Sequence, residues 1–163
     1  MKQVKRKLSG EKSGVAGQYR IRTYRAGTKE LIRETDWIKN LVVNNANNGV
    51  NLIAQRLIGL TTYDIEITQA KIGTGTTPPT DADTDLETPV TSNIPRATQI
   101  VSPTNLAVIT FFIPDVDLPN GTYNEFGLFC GNQLFARSLI LPSYTKASAE
   151  DTTVEYSLEI FNT

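Results

Sequence analysis

Histidine is absent from this 163-residue chain, and cysteine, tryptophan and methionine occur once each. The missing histidine removes the side chain whose ordinary pKa lies near neutrality. With it go the serine–histidine and cysteine–histidine nucleophile pairs and the common zinc sites. Catalysis would have to rest on carboxylates, a lysine or a metal held by oxygen alone, so neither enzymatic activity nor a cofactor is expected. A lone cysteine, Cys130, rules out an internal disulfide, and its apolar neighbours Leu128 and Phe129 mark it as a buried, inert thiol. No run approaches eighteen apolar residues, so no membrane-spanning helix is expected. Met1 to Lys7 also lack the apolar stretch of a secretory signal, and the chain is expected to be made in a cytoplasm.

What is present fits one globular unit: 39% of the residues are hydrophobic and 20% charged. The net charge of −1 conceals a polarised chain. Residues 1 to 39 hold eleven Lys or Arg against four Asp or Glu, and residues 40 to 163 hold five against thirteen. Residues 1–17 read as a basic N-terminal arm and 18–163 as a single domain. The basic side chains Lys2, Lys5, Arg6, Lys7, Lys12, Arg20, Arg22 and Arg25 are the candidate partner-binding residues, facing a neighbouring copy or another protein. No aromatic residue interleaves the five from Lys2 to Lys12, so the stacking platform of a single-strand binder is missing and nucleic acid is not an expected partner.

Periodicity assigns the fold class. Gln18 to Tyr24 alternates basic with apolar or β-branched residues, Ala26-Gly27-Thr28 reads as a turn, and Lys29 to Thr35 returns, giving a hairpin with a cationic polar face. Trp37, Ile38, Leu41, Val42 and Val43 form an apolar cluster read as core. Val50, Ile53, Ala54, Leu57 and Ile58 trace the stripe of one amphipathic helix. Asn44 to Asn48 supply candidate caps and Gly59 a stop, and the stripe is expected to lie across a sheet edge or the open end of a sandwich. Beyond residue 61 the pattern is β: strands at Asp64 to Ile72, Ile94 to Val101, Leu106 to Ile113, Tyr123 to Phe129, Gln133 to Leu141 and Thr153 to Phe161. Gly73 to Asp85 is a long loop with nothing suited to a core. Seven or eight short strands and one short helix predict an all-β protein, an antiparallel β-sandwich of jelly-roll type.

Few motifs carry chemistry. Gly73-Thr74-Gly75 lacks the third glycine and the following Gly-Lys of phosphate loops and reads as a surface turn. Asp81, Asp83, Asp85 and Glu87 alternate as calcium ligands sometimes do, yet an EF-hand starting at Asp81 would need glycine at Leu86 and glutamate at Ser92. They are candidate metal ligands within a loop read as a solvated acidic turn, with no metal assigned. With a turn centred near Gly131, Glu125 and Arg137 are equidistant from it. They are expected to face each other as a cross-strand ion pair, the alternative being two independently solvated charges.

Two segments carry a resemblance. Ala70-Lys71-Ile72-Gly73-Thr74-Gly75-Thr76-Thr77-Pro78-Pro79-Thr80-Asp81, continuing to Asp85-Leu86-Glu87, is similar to a stretch of small virion proteins and tail-appendage modules of tailed bacteriophages. Gly121-Thr122-Tyr123-Asn124-Glu125-Phe126-Gly127-Leu128-Phe129, then Leu134-Phe135-Ala136-Arg137, Pro142, Tyr144, Lys146 and the strand Val154 to Ile160, resembles a second signature of the same group. Asn40 to Val43 and the helix after it also have a counterpart there. The resemblance covers about residues 38 to 161. It implies a non-enzymatic structural protein with a β-sandwich fold, present in several copies on a virion and partnered by itself and other virion proteins. A tail-fibre or baseplate-type appendage or adaptor is the first expectation, a head decoration protein the second, and a carbohydrate- or cell-surface-binding module the third.

Overall fold

The structure, a computed structural model, describes residues 13–91 and 93–162. Lys2, Lys5, Arg6, Lys7 and Lys12 of the basic arm lie outside the described residues. The fold is all-β and antiparallel with a single short helix. Its strands are β1 (Ser13–Arg25), β2 (Leu31–Glu34), β3 (Ile38–Lys39), β4 (Leu41–Val42), β5 (Ile67–Gly73), β6 (Ile94–Val101), β7 (Leu106–Ile113), β8 (Gly121–Cys130), β9 (Gln133–Lys146) and β10 (Glu150–Asn162). The helix α1 spans Val50–Leu57. The domain boundary moves, because β1 begins at Ser13 and pairs in unbroken register with β10, from Ser13 opposite Asn162 to Arg25 opposite Glu150. Residues 13–17, assigned to the arm by their glycine content, are therefore sheet.

The ten strands form one strongly curled sheet in the order β2-β1-β10-β7-β6-β5-β8-β9-β4, with β3 pairing β1. Two strand switches produce the curl. The start of β6 pairs with β5 and the rest with β7, across a bulge between Arg96 and Thr98. At the other corner β3 pairs with β1 and β4 with β9, and only Asn40 separates them, so this segment ties both ends of the path together. Each switch lets a right-twisted sheet turn a corner.

Curling brings the inward residues of β1, β7 and β10 against those of β5, β8 and β9. The rings of Tyr19 and Phe126 lie 4.8 Å apart, and Phe111 meets Phe126 edge-on at 6.2 Å. Tyr19 is fully buried yet keeps a partner, since Ser138 donates to its hydroxyl at 2.8 Å; burial pushes its pKa well above the ordinary value. The alternation expected for β10 holds for Val154 and Tyr156, which are buried, and fades at Ile160, which is exposed.

Two apolar expectations change. Leu57 and Ile58 are 81% and 76% exposed, and the buried residue of α1 is Leu52, which lies off the expected stripe. The eight-residue helix is held by amides instead: Gln55 donates to the side-chain oxygens of Asn47 and Asn51, and Gly49 rather than an asparagine occupies the N-cap. Of the Trp37 cluster only Val43 is buried. Trp37 is 40% exposed, with the Arg20 guanidinium 4.8 Å above its ring, because its segment is the corner crossing rather than an inner strand.

The seam between β2 and β9 is closed by side chains. Arg33 makes a fork of hydrogen bonds to Glu150 at 2.6 and 2.7 Å and donates to the Thr145 carbonyl. Those bonds outweigh the effect of burial and hold the Glu150 carboxyl at about 2, against an ordinary 4.5. A depressed carboxylate contributes stability that is complete above pH 4.5 and is lost as pH falls toward 2. Substituting Glu150→Gln is expected to flatten that acid limb while lowering stability near neutrality. Urea unfolding midpoints measured from pH 7 to pH 2 check this; parallel curves for the two proteins would contradict it.

Candidate functional site

Residues on β8 alternate, so Phe126 and Leu128 face the aromatic core while Glu125, Gly127 and Phe129 face the opposite side of the sheet. That second side is not open. The segment from Thr74 to Thr88 folds back over it, with Leu86 buried against Gly127, where any Cβ would collide with the Leu86 side chain. The loop read as a surface turn is thus a cover, and both faces of β8 are dry.

Beneath the cover lies a charged clamp. Glu125 is 0% and Arg137 3% exposed. Arg137 donates through Nε to Glu125 Oε2 at 3.0 Å, through Nη1 to Asp83 Oδ2 at 2.7 Å, and through Nη2 to the Thr77 carbonyl at 3.1 Å. The Glu125 carboxylate also accepts backbone N–H groups of Gly75, Glu87 and Thr88 at 3.0, 3.0 and 2.7 Å. Every polar group of the pair is therefore matched, the condition under which a buried ion pair is tolerated. Burial opposes the Arg137 charge, but the Asp83 and Glu125 carboxylates more than compensate and raise its pKa above the ordinary value. Burial likewise pushes Asp83 up, and hydrogen bonds from Arg137 and Thr80 bring it below the usual range.

The glycines of the Gly73-Thr74-Gly75 motif are explained by the same carboxylate. A side chain at Gly73 would strike the Thr88 carbonyl and Glu125, and one at Gly75 would strike Glu125 and Glu87. No phosphate is needed to account for them.

The expected pair forms with a different geometry. Glu125 stands opposite Leu139, and Arg137 opposite Gly127, two places from the expected register: the turn is the two-residue Gly131-Asn132, which shifts it by one, and an extra residue of β9, Phe135, at a bulge opposite Leu128 and Phe129 shifts it by another. The two charges are diagonal neighbours on one face, within reach of side chains this long. The four acidic candidates do not converge. Asp83 meets Arg137; Asp85 meets Lys71 at 2.9 Å; Glu87 accepts from the backbone of Thr76 and Thr77; and Asp81 offers its carbonyl to Asn45. Hydrogen bonds from Thr77, first its backbone and then its hydroxyl, hold Glu87 below the usual carboxylate range. Among the described residues no three His, Cys, Asp or Glu side chains gather as a metal site.

The basic candidates on β1 are also engaged. Glu155 accepts from Arg20 at 3.1 Å and from Arg22 at 2.7 Å, Glu34 accepts from Arg22 at 3.1 Å, and Arg25 pairs with Glu30 at 2.6 Å. The cationic face expected of the hairpin is a charge-balanced ladder across β2, β1 and β10. Sequence reading missed the matching role of Lys146, fully buried and paired with Asp115 at 2.6 Å. A lysine ending an otherwise half-apolar strand was the available signal. Cys130 is buried, its thiol pushed up to about 12 by burial and by the nearby Asp64 and Glu66 charges.

Comparison with family models, curated proteins and solved structures returned no significant match. Among the described residues, no helix is long and apolar enough to cross a membrane.

Two outcomes test the clamp. Glu125→Leu or Arg137→Met alone strands a buried charge and is expected to cost about 3–5 kcal/mol, whereas the double change costs markedly less. Denaturant titration of the three variants checks this, and additive losses would contradict it. Cys130 is expected to resist a thiol reagent at pH 8 in the folded protein and to react fully in denaturant; rapid labelling of the native chain would contradict its burial.

Proposed function

We propose that this protein is a non-enzymatic structural component of a tailed-phage virion, present in multiple copies as a tail-fibre or baseplate-type appendage or adaptor. The observation that supports this reading best is the clamp. The two segments that carry the resemblance, 70–87 and 121–137, are the two halves of one unit, joined by Glu125 and Arg137. Its chemistry is that of a scaffold: every charge is matched internally, and nothing in it is left as an acid, base or nucleophile. What it achieves is a long loop held rigid over a sheet, with Thr76, Pro78, Asp81 and Thr84 exposed for contact. Rigid presentation of a loop suits a subunit that repeats in an array, since ordering costs at each contact are already met.

Head decoration is the alternative location for the same role. A carbohydrate-binding module is a second reading, favoured by one observation, the partly exposed Trp37 ring; its calcium-dependent form loses support because the acidic loop is spent on Arg137 and Lys71. The virion reading is tested by gold-labelled antibody against the folded chain on purified particles of the parent phage. Regularly spaced label at the tail is expected. Label on the head supports decoration, and particles free of the protein overturn the proposal.

A further inference from the structure

Strand β6 changes character along its length. Ile94 is buried and Pro95 lies opposite Gln69 of β5, but after the bulge at Arg96 the strand keeps only β7 as a neighbour. From Ala97 to Val101 every residue is exposed, with Ile100 at 68% and Val101 at 76%. Among the described residues nothing pairs with the outer edge of this stretch. An unpaired strand edge is a template for another strand, and proteins usually guard it with charge, proline or shortness. None of those guards is here. Between Arg96 and Asp115 the sequence has no charged residue, and the one proline within the strand sits before the exposed part. The strands that end the sheet order are guarded: β4 has two residues, and β2 carries Arg33 and Glu34.

We propose that Ala97–Val101 of β6 pairs antiparallel with the same stretch of a second copy, Gln99 facing Gln99, so that the sheet continues across a two-fold axis. The charge pattern selects this occupant. In an isologous pairing each residue meets its own strand reversed, so any charge would approach its like. The hydroxyl, amide and apolar side chains of Thr98, Gln99, Ile100 and Val101 carry no such penalty, and the uncharged run extends through β7 beside them. Ile100 lies opposite Val108, and the ring of Phe112 on that strand is 44% exposed, so the outer face next to the edge offers apolar surface for the incoming strand's side chains. This inference deepens the assembly reading and rests on it for a setting in which copies are abundant; the edge itself is independent of the particle.

The full chain is expected to sediment at twice its 18.0 kDa mass at tens of micromolar, a range set by the modest affinity of small interfaces. Ile100→Lys and Val101→Lys, both at exposed positions, are expected to weaken the dimer by about tenfold or more while leaving the circular dichroism and melting midpoint unchanged. High salt should partly restore the lysine dimers, a recovery that a folding defect would not give. Leu31→Lys on the β2 edge should leave association as it was. Gln99→Cys should form an oxidised covalent dimer without competition from the buried Cys130. A monomeric wild-type chain, or a dimer indifferent to both lysines, overturns the proposal. Particles that lack the protein, with a lysine-sensitive dimer still seen in solution, would remove the virion reading and leave the edge intact. Lysine variants that stay dimeric while the wild type is found on particles would do the reverse.

Discussion

A carboxylate with no access to water is the constraint around which half of this molecule is arranged. A guanidinium and three peptide N–H groups converge on Glu125, and the donors come from opposite ends of a covering loop and from the neighbouring strand. The loop cannot lift without breaking its three N–H bonds to that carboxylate and the bonds from Arg137 to Asp83 and Thr77. Residues with little apolar surface of their own are thereby made as fixed as a strand. Lys71, bonded to Asp85 and lying 4.3 Å from the Phe129 ring, and Asn45, bonded to the backbone of Asp81 and Asp83, pin the rest of the loop to the same face.

The second organising feature is electrostatic balance inside the sheet. The basic front and acidic remainder of the chain meet when β1 pairs with β10, placing Arg20 opposite Glu155 and Arg22 opposite Thr153, next to it. With Glu34 on the other side, three strands share four charges. Each partly exposed pair adds little by itself. Their combined effect is on register, because a slip of one residue would turn the arginines toward Tyr156 and the aromatic core.

The strands were legible in the sequence wherever a run of apolar and β-branched residues was broken off by turn residues, as at Pro103 and Pro114. Ile94–Val101 and Leu106–Ile113 coincide with β6 and β7 to the residue. The helix span was legible from its spacing, but its buried side was not. A stripe at Val50, Ile53 and Leu57 says which residues share a face; in a helix this short, the amide contacts of Asn47, Asn51 and Gln55 decide which face is covered. The ion pair was legible in its partners and not in its burial, since nothing local in Glu125 or Arg137 reveals that a loop fifty residues earlier closes over them. The metal spacing of Asp81 to Glu87 misled for the same reason: alternate carboxylates also suit an extended segment whose ligands are arginine, lysine and its own backbone.

Phe135 gives the hairpin a kind of arithmetic. Its extra place in β9 shifts Arg137 by one residue relative to an unbulged ladder, from opposite Phe126 to opposite Gly127, and so puts it on the clamp side while Ser138 points to Tyr19. A gene lacking one codon between Gly131 and Ala136 would have to abolish the bulge to keep that parity, and one lacking a codon beyond Arg137 would have no such reserve. Length variation among descendants of this sequence should therefore gather on the near side of the arginine and be scarce on the far side.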